Sequence, residues 1–524
     1  MAKVFDCLFL NPSCYYKKED KLDWMVMPMG MMALASKLKE NGFETKIVHI
    51  GLEKVLNPNF TVEGLLKSND AKVIAIDLHW YSHAYEAMNL AKLCKKTQDT
   101  YVVLGGYTAS FFDLEILRNF PCVDAIVRGE AELPLLELVE GHIRGHDVSS
   151  IPNVTLRYDS RLKRNPIGYV ADSKALTQLK FTDLNLLDHG YEYLKIMAPH
   201  PISLQNGTPR PLLLQPNRLD GLSSLRRGWL SIGRGCTFNC SYCGGGRKAQ
   251  RIISGRTEPV FRSIDKVTEE VIQLKEYGVR QLYFDFDPCP NDRGYYFALF
   301  KKLREEGVDI SAQFLTWGLP NREFVVEFAK TFDPFTSAIT ISVESGSEKV
   351  RKINDFHYFY SNNDLLKSLD LIEAQGTMGQ IYFSVGNSGE TLDDFNATLR
   401  LSEEILMKHK NILGPWCYSI PIEPASPRYL TPKRYGVELL RHSFMDFFEC
   451  EQKKSLGDTK NIEHICGYRT KDMSEAEMTY LSQLYEDHIS RFLSVIDGAG
   501  YSIQKRLIHD VSTILSKHPF PEST

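Results

Sequence analysis

Residues 233–246 read Gly233-Arg234-Gly235-Cys236-Thr237-Phe238-Asn239-Cys240-Ser241-Tyr242-Cys243-Gly244-Gly245-Gly246 and follow a short strand-like run at 229–232. Three thiolates at C-x3-C-x2-C spacing converge on one site, but they are one ligand short of the four that structural zinc takes. An iron–sulfur cluster held wholly by protein normally uses four cysteines, so three would leave one iron open for a substrate. Three buried structural cysteines are the alternative, and the flanking glycines disfavour it.

The motif resembles the signature of the radical S-adenosylmethionine (SAM) enzymes, C-x3-C-x2-C with an aromatic residue before the last cysteine. Tyr242 fills the aromatic position. The resemblance implies a 4Fe–4S cluster on Cys236, Cys240 and Cys243, whose fourth iron binds the amino and carboxylate groups of SAM. Electron transfer into the sulfonium then gives methionine and a 5′-deoxyadenosyl radical. An electron donor such as flavodoxin or ferredoxin is therefore an expected partner.

Length and composition limit the class of protein. The chain has 524 residues, 43% of them hydrophobic and 24% charged, which predicts a globular protein of several domains. A formal net charge of −4 gives no general attraction to phosphate backbones, so no nucleic-acid partner is expected. An odd count of eleven cysteines suits a reducing compartment. The first residues read as a strand rather than a signal peptide, and no run is long enough for a transmembrane segment, so a cytoplasmic location is predicted.

Strands and helices alternate through the first 145 residues. Strands are predicted at 4–10, 45–50, 73–78, 101–104 and 125–127, and helices at 29–40 and 85–96. Continuously apolar strands separated by helices indicate a doubly wound parallel sheet. Such sheets bind ligands beyond the carboxyl ends of their strands.

This pattern resembles the cobalamin-binding domain that precedes the barrel in many radical SAM enzymes. The matching segments are Asn11-Pro12-Ser13, Leu78-His79-Trp80-Tyr81-Ser82, Gly105-Gly106-Tyr107-Thr108 and Arg128-Gly129-Glu130-Ala131-Glu132. The resemblance implies a set of cobalamin-binding residues: Ser13, His79, Trp80, Tyr81, Ser82, Gly105, Gly106, Tyr107, Thr108 and Glu130.

Within this set, three residues are candidates for the lower face of the corrin. The D-x-H-x-x-G element that gives other cobalamin proteins a cobalt-ligating histidine is absent, which leaves His79, Trp80 and Tyr81 for that face. The two glycines would let the backbone lie close to a planar ligand, and Ser82 and Thr108 would hydrogen-bond its nucleotide tail. The alternative is a flavodoxin-like domain without a ligand, because fold does not imply function.

The rest of the chain divides into three parts. Residues 146–225 form a connector with one predicted hairpin across Asp159-Ser160. Residues 226–430 contain repeated strand-and-helix units, typical of an open partial βα barrel with its active site at the carboxyl ends of the strands. Residues 431–524 are predicted to be helical, over 435–448, 475–493 and 503–517, and either cap the barrel or bind a partner.

Polar residues at the predicted strand ends of the barrel are candidates for binding SAM. The second strand ends in Asp285-Phe286-Asp287, whose carboxylates suit the SAM ammonium group. Ser342 and Glu344 end the fourth strand, and Gly386 begins the turn after the fifth. For each residue the alternative is a helix cap or a solvated turn. The resemblance adds Tyr242 to the SAM-binding set, and no catalytic residue is identified.

The sequence predicts a cobalamin-dependent radical SAM enzyme that methylates an unactivated carbon. As the resemblance implies, the 5′-deoxyadenosyl radical would remove a hydrogen atom from the substrate and methylcobalamin would deliver the methyl group. Two alternatives remain: a radical SAM enzyme that catalyses a rearrangement or ring formation with its cobalamin domain non-methylating or empty, and a non-catalytic cobalamin or iron–sulfur sensor. The substrate class, whether small molecule, lipid or peptide, stays open.

Overall fold

A computed structural model describes residues 3–12, 15–16, 21–22, 27–196, 226–457 and 466–499. Ser13 and the predicted helix at 503–517 lie outside the described residues. The predicted α/β class is confirmed, with two mainly parallel sheets followed by a C-terminal region rich in helices.

The N-terminal sheet has seven strands among the described residues, and the first five in spatial order are parallel. In spatial order they are Thr45–His49, Lys3–Asn11, Asn69–Asp77, Tyr101–Gly105, Ala125–Val127, Val154–Tyr158 and Arg161–Arg164. The strand order reverses between Lys3–Asn11 and Asn69–Asp77. Ligands of doubly wound sheets bind at this switch point, beyond the strand ends.

Helices cover both faces of this sheet because its strands are apolar on both sides. Leu8, Ile74 and Leu104 are fully buried in successive strands. The main helices are Met29–Glu40, Ala84–Thr97 and Glu132–Arg144.

A hairpin extends the sheet past the fifth strand. Val154–Tyr158 pairs antiparallel with Ala125–Val127 and with Arg161–Arg164. The predicted turn across Asp159-Ser160 is confirmed, and both residues have positive φ, 47° and 61°. Two successive positive φ angles match the right-handed twist of paired strands.

The second sheet has six parallel strands that follow one another in chain order. They are Arg227–Trp229, Gln281–Phe284, Ser311–Thr316, Ala338–Glu344, Met378–Val385 and Ile412–Ser419. The intervening helices include Ile264–Glu276, Gly294–Glu305, Arg322–Thr331, Asn362–Ala374 and Leu392–Lys408. The first and last of these strands do not pair with each other, so the predicted open barrel is confirmed.

The C-terminal region contains a short sheet that the sequence did not predict. Val437–Leu439 pairs antiparallel with Tyr468–Thr470, so a single helix over 435–448 is wrong. The left-handed Gly436, with φ of 59°, ends the preceding turn. The helix Phe444–Ser455 begins only after Ser443, which forms a capping box with Asp446. The helix predicted over 475–493 is confirmed as Glu475–Ala499.

This region also packs against the N-terminal domain. The ring of Phe447 lies 5.1 Å from that of Tyr81, and the ring of Phe448 lies 5.4 Å from that of Tyr85. The Glu115 carboxylate accepts hydrogen bonds from the first backbone N–H groups of the helix Phe444–Ser455, where the helix dipole favours an anion. The C-terminal region therefore fixes the N-terminal domain relative to the barrel. No helix among the described ranges carries an apolar stretch long enough to cross a bilayer.

Candidate active site

The three cysteines lie on the loop that follows the first barrel strand. Phe238 donates its backbone N–H to Cys236 Sγ and Gly245 donates to Cys243 Sγ, each at 3.3 Å. The three sulfurs are not all within 4.8 Å of one another; among the described residues only Glu53, Asp188 and His189 are so placed. Tetrahedral zinc, with Zn–S bonds of about 2.3 Å, would place sulfurs about 3.8 Å apart. The wider spacing fits a cluster better than a single ion.

The electrostatics of the loop favour neutral thiols until a metal binds. Burial raises the pKa of Cys240 to about 12, and it also raises the pKa of Cys236 and Cys243. Because the ligand is the thiolate, metal binding must release these protons.

Two residues beyond the last barrel strand hold the cysteine loop. Gly244 donates its N–H to Glu423 Oε2 at 2.6 Å, and Arg428 donates its N–H to the carbonyl of Ser241 at 2.9 Å. Ser241 is also bonded to Asn354, with its hydroxyl donating to Oδ1 at 2.6 Å. Glu423 and Arg428 belong to no motif, and the only sequence signal for them is their position just past a barrel strand.

Tyr242 and Glu344, two of the predicted SAM-binding residues, are joined directly. The Tyr242 hydroxyl donates to Glu344 Oε1 at 2.9 Å. Glu344 is 5% exposed and has a φ of 68° beside a register shift that follows Ser342. A non-glycine residue held there stores strain, which is common at functional sites. Burial raises the pKa of Glu344, while hydrogen bonds and the Arg428 guanidinium oppose the rise. Ser342 is half-buried two residues earlier on the same strand.

The two predicted aspartates have different environments. Asp287 is fully buried, accepts a 2.7 Å hydrogen bond from Arg293 Nη2 and accepts the backbone N–H of Trp317 at 3.0 Å. Asp285 lines the cavity described below, and its carboxylate has no hydrogen bond or ion pair with another described residue. Asp285 is exposed to the cavity, and desolvation by the cavity walls raises the pKa of its carboxyl to about 6. Asp285 is therefore the aspartate whose carboxylate is open to a ligand.

Gly386 shapes a turn that protein groups already enclose. Its N–H donates to Glu390 Oε2 at 2.9 Å, and its carbonyl accepts the Tyr468 hydroxyl at 2.8 Å. A Cβ at this position, where φ is 87°, would lie 2.6 Å from the sulfur of Met478. Burial raises the pKa of Glu390 to about 8. Both polar backbone atoms of Gly386 are thus engaged by protein groups, and its contact with SAM stays a prediction.

A cavity of about 500 Å³ lies between the N-terminal domain and the barrel mouth. The N-terminal domain contributes Asp77, His79, Gly105, Gly106, Tyr107 and Glu130, and the barrel contributes Cys236, Asp285, Phe286 and Trp317. The lining also includes apolar side chains from the helix Met29–Glu40 and from the sheet, namely Met29, Met31, Leu34, Phe9 and Ala75. Glycines and apolar side chains that line one cavity at the strand ends suit a large planar ligand such as a corrin.

The glycine loop closes tightly on the loop after the third strand. A Cβ at Gly106, where φ is 102°, would lie 2.5 Å from the backbone nitrogen of His79. Thr108 donates its hydroxyl to the carbonyl of His79 at 2.9 Å. These contacts hold His79 at the cavity wall, where its ring lies 5.1 Å from that of Tyr107. Burial lowers the pKa of His79 to about 4, so the imidazole is neutral and keeps a lone pair.

The other predicted residues of this segment lie away from the cavity lining. Tyr81 packs on Phe447, and the Trp80 side chain is 48% exposed. Ser82, next along the chain, does not line the cavity either. Of the three residues predicted to face the lower side of the corrin, the structure therefore brings only His79 to the cavity.

Asp77 is a cavity residue that sequence reasoning missed. It ends the third strand, and Asn11 donates its side-chain N–H to Asp77 Oδ2 at 3.3 Å. Burial raises the pKa of Asp77 to about 7. Its signal in the sequence is a single acid that interrupts an otherwise apolar strand.

Glu130 joins the two domains across the cavity edge. Arg256 donates from Nε to Glu130 Oε1 at 2.6 Å and from Nη2 to Oε2 at 2.9 Å. Oε2 also accepts from Arg234 Nη1 at 3.3 Å and from the backbone N–H of Ala171 at 2.9 Å. Both oxygens are therefore engaged by protein, although the residue was predicted to bind cobalamin. The contact ties Arg234, within the cysteine motif, to the N-terminal domain.

Two family models match the chain at the places that this geometry singles out. The model of the radical SAM superfamily matches residues 230–402, and the model of the B12 binding domain matches residues 22–139. The chain is a radical SAM enzyme with a B12-binding domain. Its cofactors are SAM, a 4Fe–4S cluster and cobalamin, and the cysteine loop, Asp285 and the inter-domain cavity fit these groups.

Relatives support this assignment over most of the chain. An uncharacterized methyltransferase of Pyrococcus horikoshii is 23% identical over 72% of this chain and 73% of its own length. The cytidylyl-2-hydroxyethylphosphonate methyltransferase of Streptomyces wedmorensis is 24% identical over 76% of this chain and 77% of its own. The structure of the radical SAM methyltransferase TsrM from Kitasatospora setae, with cobalamin and a [4Fe-4S] cluster bound, shares the fold with a TM-score of 0.63. That match has 13% identity and covers 95% of this chain and 90% of TsrM.

Proposed function

We propose that this enzyme transfers a methyl group from SAM, by way of cobalamin, to an unactivated carbon of its substrate. The observation that carries the proposal is the single cavity whose walls hold both the glycine loop of the N-terminal domain and the cysteine loop of the barrel. Gly105 and Gly106 lie on one side, and Cys236 and Asp285 on the other. A group bound on either side would face the other across the cavity, and transfer between two groups requires that they be held close together.

Residues of the barrel would bind and orient SAM. Asp285 would accept hydrogen bonds from the SAM ammonium group, because its carboxylate is open to the cavity. Glu344, held by Tyr242 and beside the cysteine loop, would accept from the ribose hydroxyls. Ser342 would support that contact from the same strand. Glu423 and Arg428 would keep the cysteine loop in one shape while ligands exchange.

Residues of the N-terminal domain would bind cobalamin at its strand ends. Gly105 and Gly106 would allow the backbone to approach the corrin, and the neutral imidazole of His79 would face it. Asp77, whose pKa of about 7 leaves it partly protonated at neutral pH, could donate a hydrogen bond to a corrin amide. When bound, the cluster and SAM supply a 5′-deoxyadenosyl radical, and cobalamin supplies the methyl group.

The proposal extends to the surroundings of the enzyme. We expect the substrate to be a small molecule, a lipid or a peptide, because the cavity lining combines apolar side chains with a few polar groups. We expect an external one-electron donor such as flavodoxin or ferredoxin, and a cytoplasmic location.

The deciding experiment is a methyl-transfer screen with SAM that carries a trideuterated methyl group. Anaerobically reconstituted enzyme, cobalamin and dithionite would be incubated with candidate substrates and analysed by mass spectrometry. A product heavier by one CD3 group in place of hydrogen, formed with 5′-deoxyadenosine, supports the proposal. A product without the label would instead indicate rearrangement or ring formation. Cys240→Ala is the matched control and should form neither product.

A further inference from the structure

An exposed patch of cations and aromatic rings lies beside the cysteine loop, and we call it the basic–aromatic surface. Its members are Lys352, Tyr358, Phe359, Lys433 and Arg434, all of them exposed. The side chains of Tyr358 and Phe359 are 41% and 50% exposed. Exposed apolar side chains that lie next to one another are a common feature of surfaces that bind other molecules.

This surface is one layer of side chains away from the cysteines. The ring of Phe238, between Cys236 and Cys240, lies 5.1 Å from the ring of Tyr358 and 5.4 Å from that of His357. Phe238 and Cys240 also pack in one cluster with Phe356, the residue before His357. A protein docked on Tyr358 would therefore reach the cluster through adjoining side chains.

The loop that carries the aromatic rings has a fixed shape. Asp355 and His357 both have left-handed φ angles, 51° and 44°. Neither is glycine, so the surrounding contacts must hold them there. Asn354, just before them, accepts hydrogen bonds from the Ser241 hydroxyl and N–H. The loop is thereby tied to the cysteine motif and presents its rings without rearrangement.

The charge of the surface is opposite to that of the chain. The whole chain has a formal net charge of −4, whereas the surface holds three cations that form no salt bridge with described residues. Lys352 Nζ lies 4.2 Å from the centre of the Phe359 ring. The Arg434 guanidinium lies 5.7 Å from the centre of the Tyr435 ring. Burial raises the pKa of Tyr435 and Asp355 is close enough to add to the rise, so Lys433 and Arg434 lie near the loop that carries the rings. The three cations of the surface outnumber Asp355, the exposed acid of that loop.

We propose that the basic–aromatic surface docks an acidic one-electron carrier protein that reduces the cluster. The inference rests on the proposed function only in requiring a cluster that must be reduced. One electron leaves the carrier and enters the cluster, and no bond forms or breaks. Opposite charges speed the encounter, and the exposed rings supply an apolar centre for the contact.

The test is the rate at which reduced flavodoxin or a reduced 2Fe–2S ferredoxin reduces the cluster in anaerobic stopped flow. The reconstituted enzyme is compared with a Lys352→Glu, Lys433→Glu double variant and with Lys67→Glu, a change of exposed charge on the N-terminal domain. At low ionic strength the double variant should react about tenfold more slowly with the carrier. Lys67→Glu should react at the rate of the unaltered enzyme. Added salt should slow reduction of the unaltered enzyme by the carrier, and it should reduce the difference in rate between the unaltered enzyme and the double variant.

Three outcomes would overturn the inference. The first outcome is that the double variant reacts with the carrier as fast as the unaltered enzyme. The second is that Lys67→Glu is slowed as much as the double variant. The third is that neither carrier reduces an enzyme that dithionite does reduce. Reduction by dithionite, and the SAM cleavage that follows, should be equal in all variants. If dithionite neither reduces the cluster of the unaltered enzyme nor leads to SAM cleavage, the proposed function fails. Failure of the docking inference is therefore distinguishable from failure of the proposed function.

Discussion

The hydroxyl of Tyr242 donates a 2.9 Å hydrogen bond to Oε1 of Glu344. The two residues are 102 positions apart, one on the cysteine loop and the other at the end of the fourth barrel strand. Glu344 is held in the left-handed region of φ at 68°, so its carboxylate is aimed by the backbone as well as by the tyrosine. This bond links the position of the cysteine loop to the proposed ribose-binding carboxylate.

Tyr242→Phe should weaken SAM binding while leaving the cluster intact. Without the tyrosine hydroxyl the Glu344 carboxylate is no longer held toward the ribose of SAM, and the loss of one hydrogen bond to a charged group costs about 1.5 kcal/mol of binding free energy. That corresponds to an approximately tenfold higher dissociation constant for SAM, measured by anaerobic equilibrium binding. Iron content should be unchanged, as in a Tyr158→Phe control on the distant hairpin. Equal SAM affinity in both variants would show that the bond does not support the SAM site.

Asp285→Asn should remove a pH dependence from SAM binding. The pKa of Asp285 is raised to about 6, so the carboxylate is ionised above that pH and protonated below it. SAM affinity of the unaltered enzyme should therefore fall as the pH decreases from 7.5 through about 6, and affinity of the variant should be low and flat. Dissociation constants for SAM, measured for both proteins across this pH range, would check the prediction. A sloping profile that survives in Asp285→Asn would assign the titration to another group.

Asp287→Asn is the contrasting variant for that measurement. Asp287 has no open face and instead forms a buried ion pair with Arg293. Breaking it leaves a buried guanidinium unpaired, which typically costs about 3–5 kcal/mol. The variant should have a lower melting temperature than the unaltered enzyme. At temperatures where it stays folded, its affinity for SAM should still depend on pH.

Cys236→Ala, Cys240→Ala and Cys243→Ala should each lose the cluster, whereas Cys289→Ala should keep it. Cys289 is half-buried and close enough to raise the pKa of Cys236, so it is a demanding control. It lies outside the three-cysteine motif, and the proposed function leaves the fourth iron to SAM. Iron and sulfide analysis after anaerobic reconstitution measures the outcome. Loss of iron in Cys289→Ala would mean that a fourth cysteine closes the cluster.

The five parallel strands of the N-terminal sheet, its helices Met29–Glu40 and Ala84–Thr97, and the helices between the barrel strands were predicted from apolar periodicity. The helix Glu132–Arg144 was not predicted. The sequence placed Tyr242 and Glu344 at the same edge of the barrel, since parallel strands bring their carboxyl ends together, but it did not predict the hydrogen bond between them. The roles of Glu423 and Arg428 were not predicted, because they depend on how the chain returns over the barrel after its last strand. Nor could the sequence separate Asp285 from Asp287, because the difference lies in the pairing of Arg293 with only one of them. Glu130 illustrates the same limit, since Arg256 is 126 positions away.

Glu130→Gln should loosen the contact between the two domains. Arg256 is 3% exposed and would lose its only ion-pair partner among the described residues. Removing one partner of a buried ion pair costs about 3–5 kcal/mol, so the melting temperature should fall by several degrees. Glu140→Gln, at an exposed pair with Arg144 on the helix Glu132–Arg144, is the matched control and should change it little. Equal melting temperatures in the two variants would show that the contact does not hold the domains.

Gly106→Ala should weaken cobalamin binding without affecting the cluster. Both Gly106 and Gly42 have positive φ, 102° and 86°, so alanine at either site costs about 1 kcal/mol in backbone strain. A Cβ at Gly42 has nothing within 4 Å, whereas one at Gly106 would lie 2.5 Å from the His79 backbone nitrogen. The His79 loop must therefore move in Gly106→Ala alone. Titration of the visible bands of cobalamin should show at least a roughly tenfold loss of affinity in that variant and none in Gly42→Ala. Since the cysteine loop belongs to the barrel, both variants should still cleave SAM with dithionite. Equal cobalamin affinity in the two variants would place the corrin away from the glycine loop.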